Sequence, residues 1–141
     1  MAESTRFPVA VHVLTLLAHE KGKSLTSDYI AASVNTNPVV IRRMLTLLKK
    51  AGLVSSTEGA GGGTTLARPP GRITMADVFK AVEPQGELFG SPRSDPNPLC
   101  PVGRSVQGIV RQHGKRFGRV VKRQMKEITI ADVLGEVRAA K

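Results

Sequence analysis

Residues 25–67 read LTSDYIAASVNTNPVVIRRMLTLLKKAGLVSSTEGAGGGTTLA, and their order decides the fold. Thr26 is placed to cap a short helical run through IAASV, and Leu25 can pack on Ile30 across that cap. Asn35 ends the run, because asparagine tolerates the left-handed backbone of a tight turn. Asn37-Pro38 restarts a helix as a cap followed by proline in the first turn. The new helix carries Ile41, Met44, Leu45 and Leu48 on one face and Arg42, Arg43, Thr46, Lys49 and Lys50 on the other. Gly52 stops it. Residues 53–56 and 64–67 are short β-prone runs on either side of TEGAGGG, which predicts a hairpin with a glycine tip. Helix, tight turn, helix and glycine-tipped hairpin together make a winged helix-turn-helix. The expected fold is mainly α with one small β-hairpin wing, and the expected partner is double-stranded DNA.

On the N-terminal side, residues 5–20 predict a first helix with Phe7, Val11, Leu14 and Leu17 or Ala18 at helical spacing, closed at Gly22. On the C-terminal side two segments match each other, ITMADVFKAV at 73–82 and ITIADVLGEV at 128–137. Each offers a threonine cap, an aspartate three residues on and an isoleucine–valine staple. Two copies are too few and too short for a repeat architecture, so they read as two uses of one way to start a helix. Residues 86–103 read as a loop rich in proline, with Pro92, Pro96, Pro98 and Pro101. From Arg104 to Lys126 comes a long helical pattern with Val106, Ile109 or Val110, His113, Phe117, Val120 or Val121, and Gln124 or Met125 along one side. Gly108, Gly114 and Gly118 should weaken it in isolation by ~1 kcal/mol each relative to alanine. Something must therefore cover this helix, and a second copy of the chain is the economical cover. The expected division is a DNA-binding domain over 1–84, a sensor loop over 85–103, and a dimerisation helix with a short C-terminal helix over 104–141.

The 141 residues suit one domain plus at most one appended element. Twenty-one Lys and Arg against eleven Asp and Glu leave a net charge of +10. That surplus suits a polyanion, since counterion release drives such binding, but it also suits a merely soluble basic protein. The opening apolar stretch is broken by His12 and lacks a charged leader and a cleavage site, so no secretory signal is expected. No run reaches membrane-spanning length. A single cysteine, Cys100, leaves no intrachain disulfide. The expected home is the cytoplasm, with no membrane partner.

An α-helix fits the major groove, and its N-terminal residues reach base edges. Val39, Arg42 and Arg43 are the candidate base readers, Val39 toward a thymine methyl and the arginines toward guanine. Thr46, Lys49 and Lys50 lie further along and suit phosphates. The competing reading of this helix is a solvated charged face. Gly59, Gly61, Gly62 and Gly63 would let backbone approach phosphate, or simply make a flexible hairpin tip. Arg68 and Arg72 flank the base of the wing as further phosphate candidates, while Glu58 near the tip suits an arginine neighbour better than DNA. No Gly-Lys-Ser/Thr follows the glycines, so this is not a nucleotide loop.

The long helix bears Arg104, Arg111, Lys115, Arg116, Arg119, Lys122, Arg123 and Lys126 with no acid among them. It reads as the outer face of a dimerisation helix, with a share in steering DNA. Cys100 sits ahead of this helix with Arg104 nearby, a setting that would make a thiol more reactive; it reads first as an inert small apolar residue, with a redox-sensing role as the alternative. His12, His19 and His113 form no metal spacing with it, and no metal site or catalytic residue is expected.

GLVSSTEGAGGGTTLARPPGRITMADVFKAVE closely resembles the wing and following helix of the IscR/NsrR-type winged-helix regulators, the Rrf-two family. Leu66-Ala67-Arg68-Pro69 and Ile73-Thr74 after the glycines are the specific part, and the likeness extends from the first helix to ITIADVL. The resemblance implies a dimer joined through a long C-terminal helix, control of bacterial promoters, and DNA contact by Arg42, Arg43 and the glycine wing. Cluster-binding members carry three cysteines between the wing-side helix and the dimer helix, where this chain has Cys100 alone. One thiolate per subunit falls short of ordinary cluster ligation, so no iron–sulfur cluster is expected and PNPLCPVGRSVQ resembles the cluster-free branch. The expected function is a dimeric, sequence-specific transcriptional repressor on palindromic DNA, answering to a thiol oxidant or a small molecule. A winged helix that binds protein or RNA, without regulating DNA, is the alternative. An enzyme is not expected.

Overall fold

A computed structural model describes residues 5–83, 86, 88–89 and 94–140. Pro92 and part of the expected 85–103 loop lie outside the described residues. The elements in order are α1 (Arg6–His19), α2 (Ser27–Val34), α3 (Pro38–Lys50), β1 (Val54–Thr57), β2 (Gly63–Leu66), a 3-10 turn (Pro70–Arg72), α4 (Met75–Val82), α5 (Val106–Lys126) and α6 (Ile130–Ala139). This is the winged helix-turn-helix order, mainly helical with one antiparallel hairpin.

The core lies where α1 meets α2, α3, α4 and α6. Ala10, Val13 and Leu14 of α1, Ile30 of α2, Ile41 and Leu48 of α3, Val78 and Val82 of α4, and Ile130 of α6 are all fully buried. Burying each large aliphatic side chain contributes roughly 1.5–3 kcal/mol, so α1 acts as the shared floor of the fold. Its first turn is fastened to α4 by an edge-to-face pair, Phe7 on Phe79, with ring centres 6.1 Å apart. The α1 expectation holds, with more buried than the spacing alone suggested, because α1 has neighbours on several sides.

The wing register is Val54 opposite Leu66 and Thr57 opposite Gly63, one residue later at its first strand and one earlier at its second than the predicted runs. Leu53 stays buried just outside the ladder, and its carbonyl still accepts from the Ala67 amide at 3.0 Å. The entry to α2 adds an isolated bridge on the other edge of β2. Leu25 and Thr64 exchange two backbone hydrogen bonds, 3.0 and 2.8 Å, so the wing is hydrogen-bonded to the segment before α2.

The two matched segments meet. The Met75 amide donates to the Ile128 carbonyl at 2.8 Å, and the Ile130 amide donates to the Ile73 carbonyl at 2.9 Å. Thr74 and Thr129 thus face each other in an antiparallel bridge, and each still closes a full capping box with Asp77 or Asp132. A helix-capping residue is itself extended, so the backbone around Thr74 and Thr129 can pair. The first staple is fully buried at Ile73 and Val78, whereas Ile128 in the second copy is 43% exposed.

The long helix begins at Val106 rather than at Arg104. Residues 98–105 form successive turns first, and a Cβ on Gly103 would come within 2.5 Å of the Asn97 carbonyl oxygen. Within the body, α5 packs on α4, and the chain then returns through α6 to α1 and the 3-10 turn. No residue of α5 is buried.

Candidate nucleic-acid interface

The turn before α3 is built from two asparagines with different tasks. Asn35 takes the left-handed conformation, φ 62°, and ends α2. Asn37 stays extended, and its Oδ1 accepts from the Val39 amide at 2.8 Å, satisfying one of the donors that a helix start leaves free. Pro38 follows in the first turn, where a missing amide hydrogen costs nothing. The Thr26 hydroxyl accepts from the Tyr29 amide at 3.1 Å and does the same for α2.

With its start held, α3 turns Ile41, Met44, Leu45 and Leu48 into the core, the four positions that the spacing predicts. Val39, Arg42, Arg43, Thr46, Lys49 and Lys50 are all exposed on the other side. At 1.5 Å rise per residue they line about 16 Å of helix, a length that a major groove accepts. Among the described residues, Arg42, Arg43, Lys49 and Lys50 pair with no carboxylate. Thr46 is less free, because its hydroxyl donates back to the Arg42 carbonyl at 2.9 Å. Its oxygen can still accept, so it suits a donor better than a phosphate oxygen.

The wing glycines have structural duties. A Cβ on Gly62 would stand 2.2 Å from the Thr57 carbonyl oxygen, and one on Gly63 would stand 2.7 Å from the Leu25 carbonyl oxygen. Neither position admits another residue without moving backbone. The Gly62 amide donates to the Gly59 carbonyl at 3.0 Å, so it is already used inside the turn. Gly59 and Gly61 are exposed at the tip and have open space around them. The tip, then, is the part of the wing with backbone to offer a phosphate.

Arg68 is exposed at the wing base, but its guanidinium lies 3.7 Å from an oxygen of Asp77. Asp77 also accepts from the Thr74 amide in the α4 capping box. One carboxylate therefore ties the descending edge of the wing to the start of α4. Both partners are about 40% exposed, so the pair contributes little energy and serves to aim the arginine. Glu58 makes no such pair among the described residues.

A further link escapes any sequence reading. Glu20, just after α1, lies beside the Tyr29 hydroxyl on α2, and its carboxylate pushes the pKa of the phenol up. No spacing rule connects positions nine apart across a break, so only the folded chain shows it. The His12 ring and the Ser33 hydroxyl, 2.9 Å apart, make a second tie between the same helices.

Cys100 is exposed within the turns that precede α5. Its amide donates to the Asn97 carbonyl at 3.2 Å, and its carbonyl accepts from the Arg104 amide at 3.0 Å. The helix proper starts six residues later, so the thiol does not sit at its first turn. Among the described residues no three His, Cys, Asp or Glu side chains gather as metal ligands. With one thiolate in the chain, the donor set does not fit an iron–sulfur cluster. No described helix is long and apolar enough to cross a membrane.

Comparison with known proteins agrees with this geometry. The Rrf2 family model, described as an iron-dependent transcriptional regulator, matches residues 3–136. The chain is 37% identical over 134 residues to YwnA of Bacillus subtilis, whose naming as an HTH-type transcriptional regulator is itself provisional; the match covers 95% of this chain and 98% of that one. A solved structure of T. potens IscR shares 28% identity at a TM-score of 0.65, over 97% of this chain and 88% of that one. The structure of CymR, the global cysteine regulator of B. subtilis, superposes at a TM-score of 0.71 over 96% of this chain and 98% of that one; at 23% identity it speaks for the fold alone.

Proposed function

The chain belongs to the Rrf2 family of transcriptional regulators, and on that premise we propose that it is a homodimeric repressor that reads a palindromic DNA site. The observation that carries the proposal is the outward face of α3. A helix held by an asparagine cap, with its apolar side buried, presents Val39, Arg42 and Arg43 near its N-terminal end and Lys49 and Lys50 beyond them. In this reading Arg42 and Arg43 bond guanine edges, Val39 meets a thymine methyl, Thr46 is left to accept from a base amino group, Lys49 and Lys50 approach the backbone, and the tip at Gly59 and Gly61 lies on the adjacent phosphates with Arg68 behind it.

The dimer follows from α5. Val106, Ile109, Val110, Phe117 and Val120 are exposed along one side of a helix whose other, half-buried side packs on α4. A second copy supplies the missing cover, joins the two reading heads, and sets half-sites about one helical turn of DNA (~34–36 Å) or a multiple apart. The domain limits of 1–84, 85–103 and 104–141 serve this arrangement as reader, sensor loop and joining segment, with α6 anchoring the last to α1. The chain acts without catalysis and without a metal, in the cytoplasm. Its effector, a small molecule or a thiol oxidant at Cys100, works through the segment leading into α5.

Selection of bound genomic fragments by the full-length protein, followed by gel shifts across a salt series, tests the proposal. A palindrome bound in preference to random duplex, with steep loss of affinity as salt rises, is the expected result. Binding indifferent to sequence and salt, or preference for RNA or a protein, would overturn it.

A further inference from the structure

The chain's positive charge is not spread evenly. Residues 104–126 hold eight Lys and Arg and no acid, leaving 13 basic against 11 acidic residues in the rest of the chain. Eight of the ten net charges thus belong to α5 and its lead-in. At about 100° per residue, Gln112, Arg116 and Arg123 fall between the apolar row and the basic stripe, and three further sides of α5 are distinct. The apolar residues Val106, Ile109, Val110, Phe117 and Val120 form one. Gln107, Gly114, Gly118, Val121 and Met125, the half-buried positions of the helix, form the next. Arg111, Lys115, Arg119, Lys122 and Lys126 form a stripe about 180° from the apolar row. All five are exposed, and among the described residues none pairs with a carboxylate.

We propose that this stripe is a second duplex-DNA surface, independent of sequence and separate from α3. It spans about 22 Å of helix, the axial length of about six phosphates on one strand. Apart from the exposed Gly108, the arc between its charges holds no aromatic or aliphatic side chain, so it offers no pocket to read a base or a peptide. A row of unpaired charges without pockets fits a regular polyanion. Because the stripe lies opposite the apolar row, a second copy seated on that row leaves the stripe open. The inference goes beyond the proposed operator reading by α3: it assigns most of the non-specific affinity to α5.

The test uses full-length protein and a random-sequence duplex, with affinity measured across a salt series. Neutralising the stripe as R111Q/K115Q/R119Q should make the log–log salt dependence shallower by about 3, at roughly 0.9 for each phosphate that is no longer neutralised. Preference for operator over random duplex should persist. A matched variant, K21Q/K80Q/R138Q, removes the same charge from positions elsewhere in the chain and should change the slope little. Circular dichroism on both variants checks that the helices remain. Equal slopes for the two variants would reduce the stripe to bulk charge, and an unchanged slope in the first would remove it altogether. Displacement of the wild-type protein from duplex by poly-glutamate at equal charge concentration would assign the stripe to an acidic polypeptide instead. Loss of operator preference in wild-type protein would strike the α3 reading and leave this slope comparison standing.

Discussion

α3 and α5 are both amphipathic helices with basic outer sides, yet the fold treats them in opposite ways. α3 buries all four of its core-facing residues against α1, α2 and α4. α5 has a comparable apolar row and buries none of it. The pattern that predicts a helix face says that cover is needed, without saying whose. For α3 the cover lies within the same chain, and its basic side is a finished surface whose shape does not depend on a partner. For α5 the row is left exposed, while Gly114 and Gly118 lie on the half-buried side that packs on α4 and only Gly108 is exposed. Stability in one, and the dimerisation proposed for the other, rest on the same arithmetic of apolar area.

The comparison can be broken most severely at Ile41. Ile41→Ala removes a fully buried side chain and should cost about 2–5 kcal/mol of unfolding free energy, seen as a lower denaturation midpoint at any protein concentration. Ile109→Asp on α5 should behave differently. Sedimentation should report monomers, operator affinity should fall, and secondary structure should be retained; a dimer that survives the substitution would mean the open row is not where the copies meet. Removing both Arg42 and Arg43 as alanines should leave folding alone and lose about 1–3 kcal/mol of discrimination per guanine contact, measured as operator against random duplex. Unchanged discrimination would show that another face of α3 reads the bases. Thr129→Ala opens one capping box and should lower stability by ~1 kcal/mol, with the paired Thr74→Ala similar. The smallest effect belongs to Cys100→Ser, an exposed change that should leave operator affinity within about twofold. A peroxide response that survives it would place the sensor elsewhere.

Much of the reading head was legible because its signals are local. A cap lies within three residues of what it caps, a helix face repeats every three or four, and a proline or a glycine acts on its own backbone. Those rules located α2, α3 and the wing to within a residue or two. They could not show that Gly63 is glycine because Leu25 passes beneath it, or that Arg68 is aimed by Asp77. They recognised ITMADV and ITIADV as twins but not as partners, since nothing in a helix start states which extended backbone will lie beside it.

By itself, then, the sequence determined the helices, their caps, the buried side of α3 and the concentration of positive charge, because each depends on neighbours a few positions away. Tertiary structure alone decided that α6 returns to α1, that the wing is held to the segment before α2, and that α5 keeps its apolar row uncovered. Those are contacts between residues far apart in the chain, and they are chosen by which surfaces remain to be buried once the local elements exist.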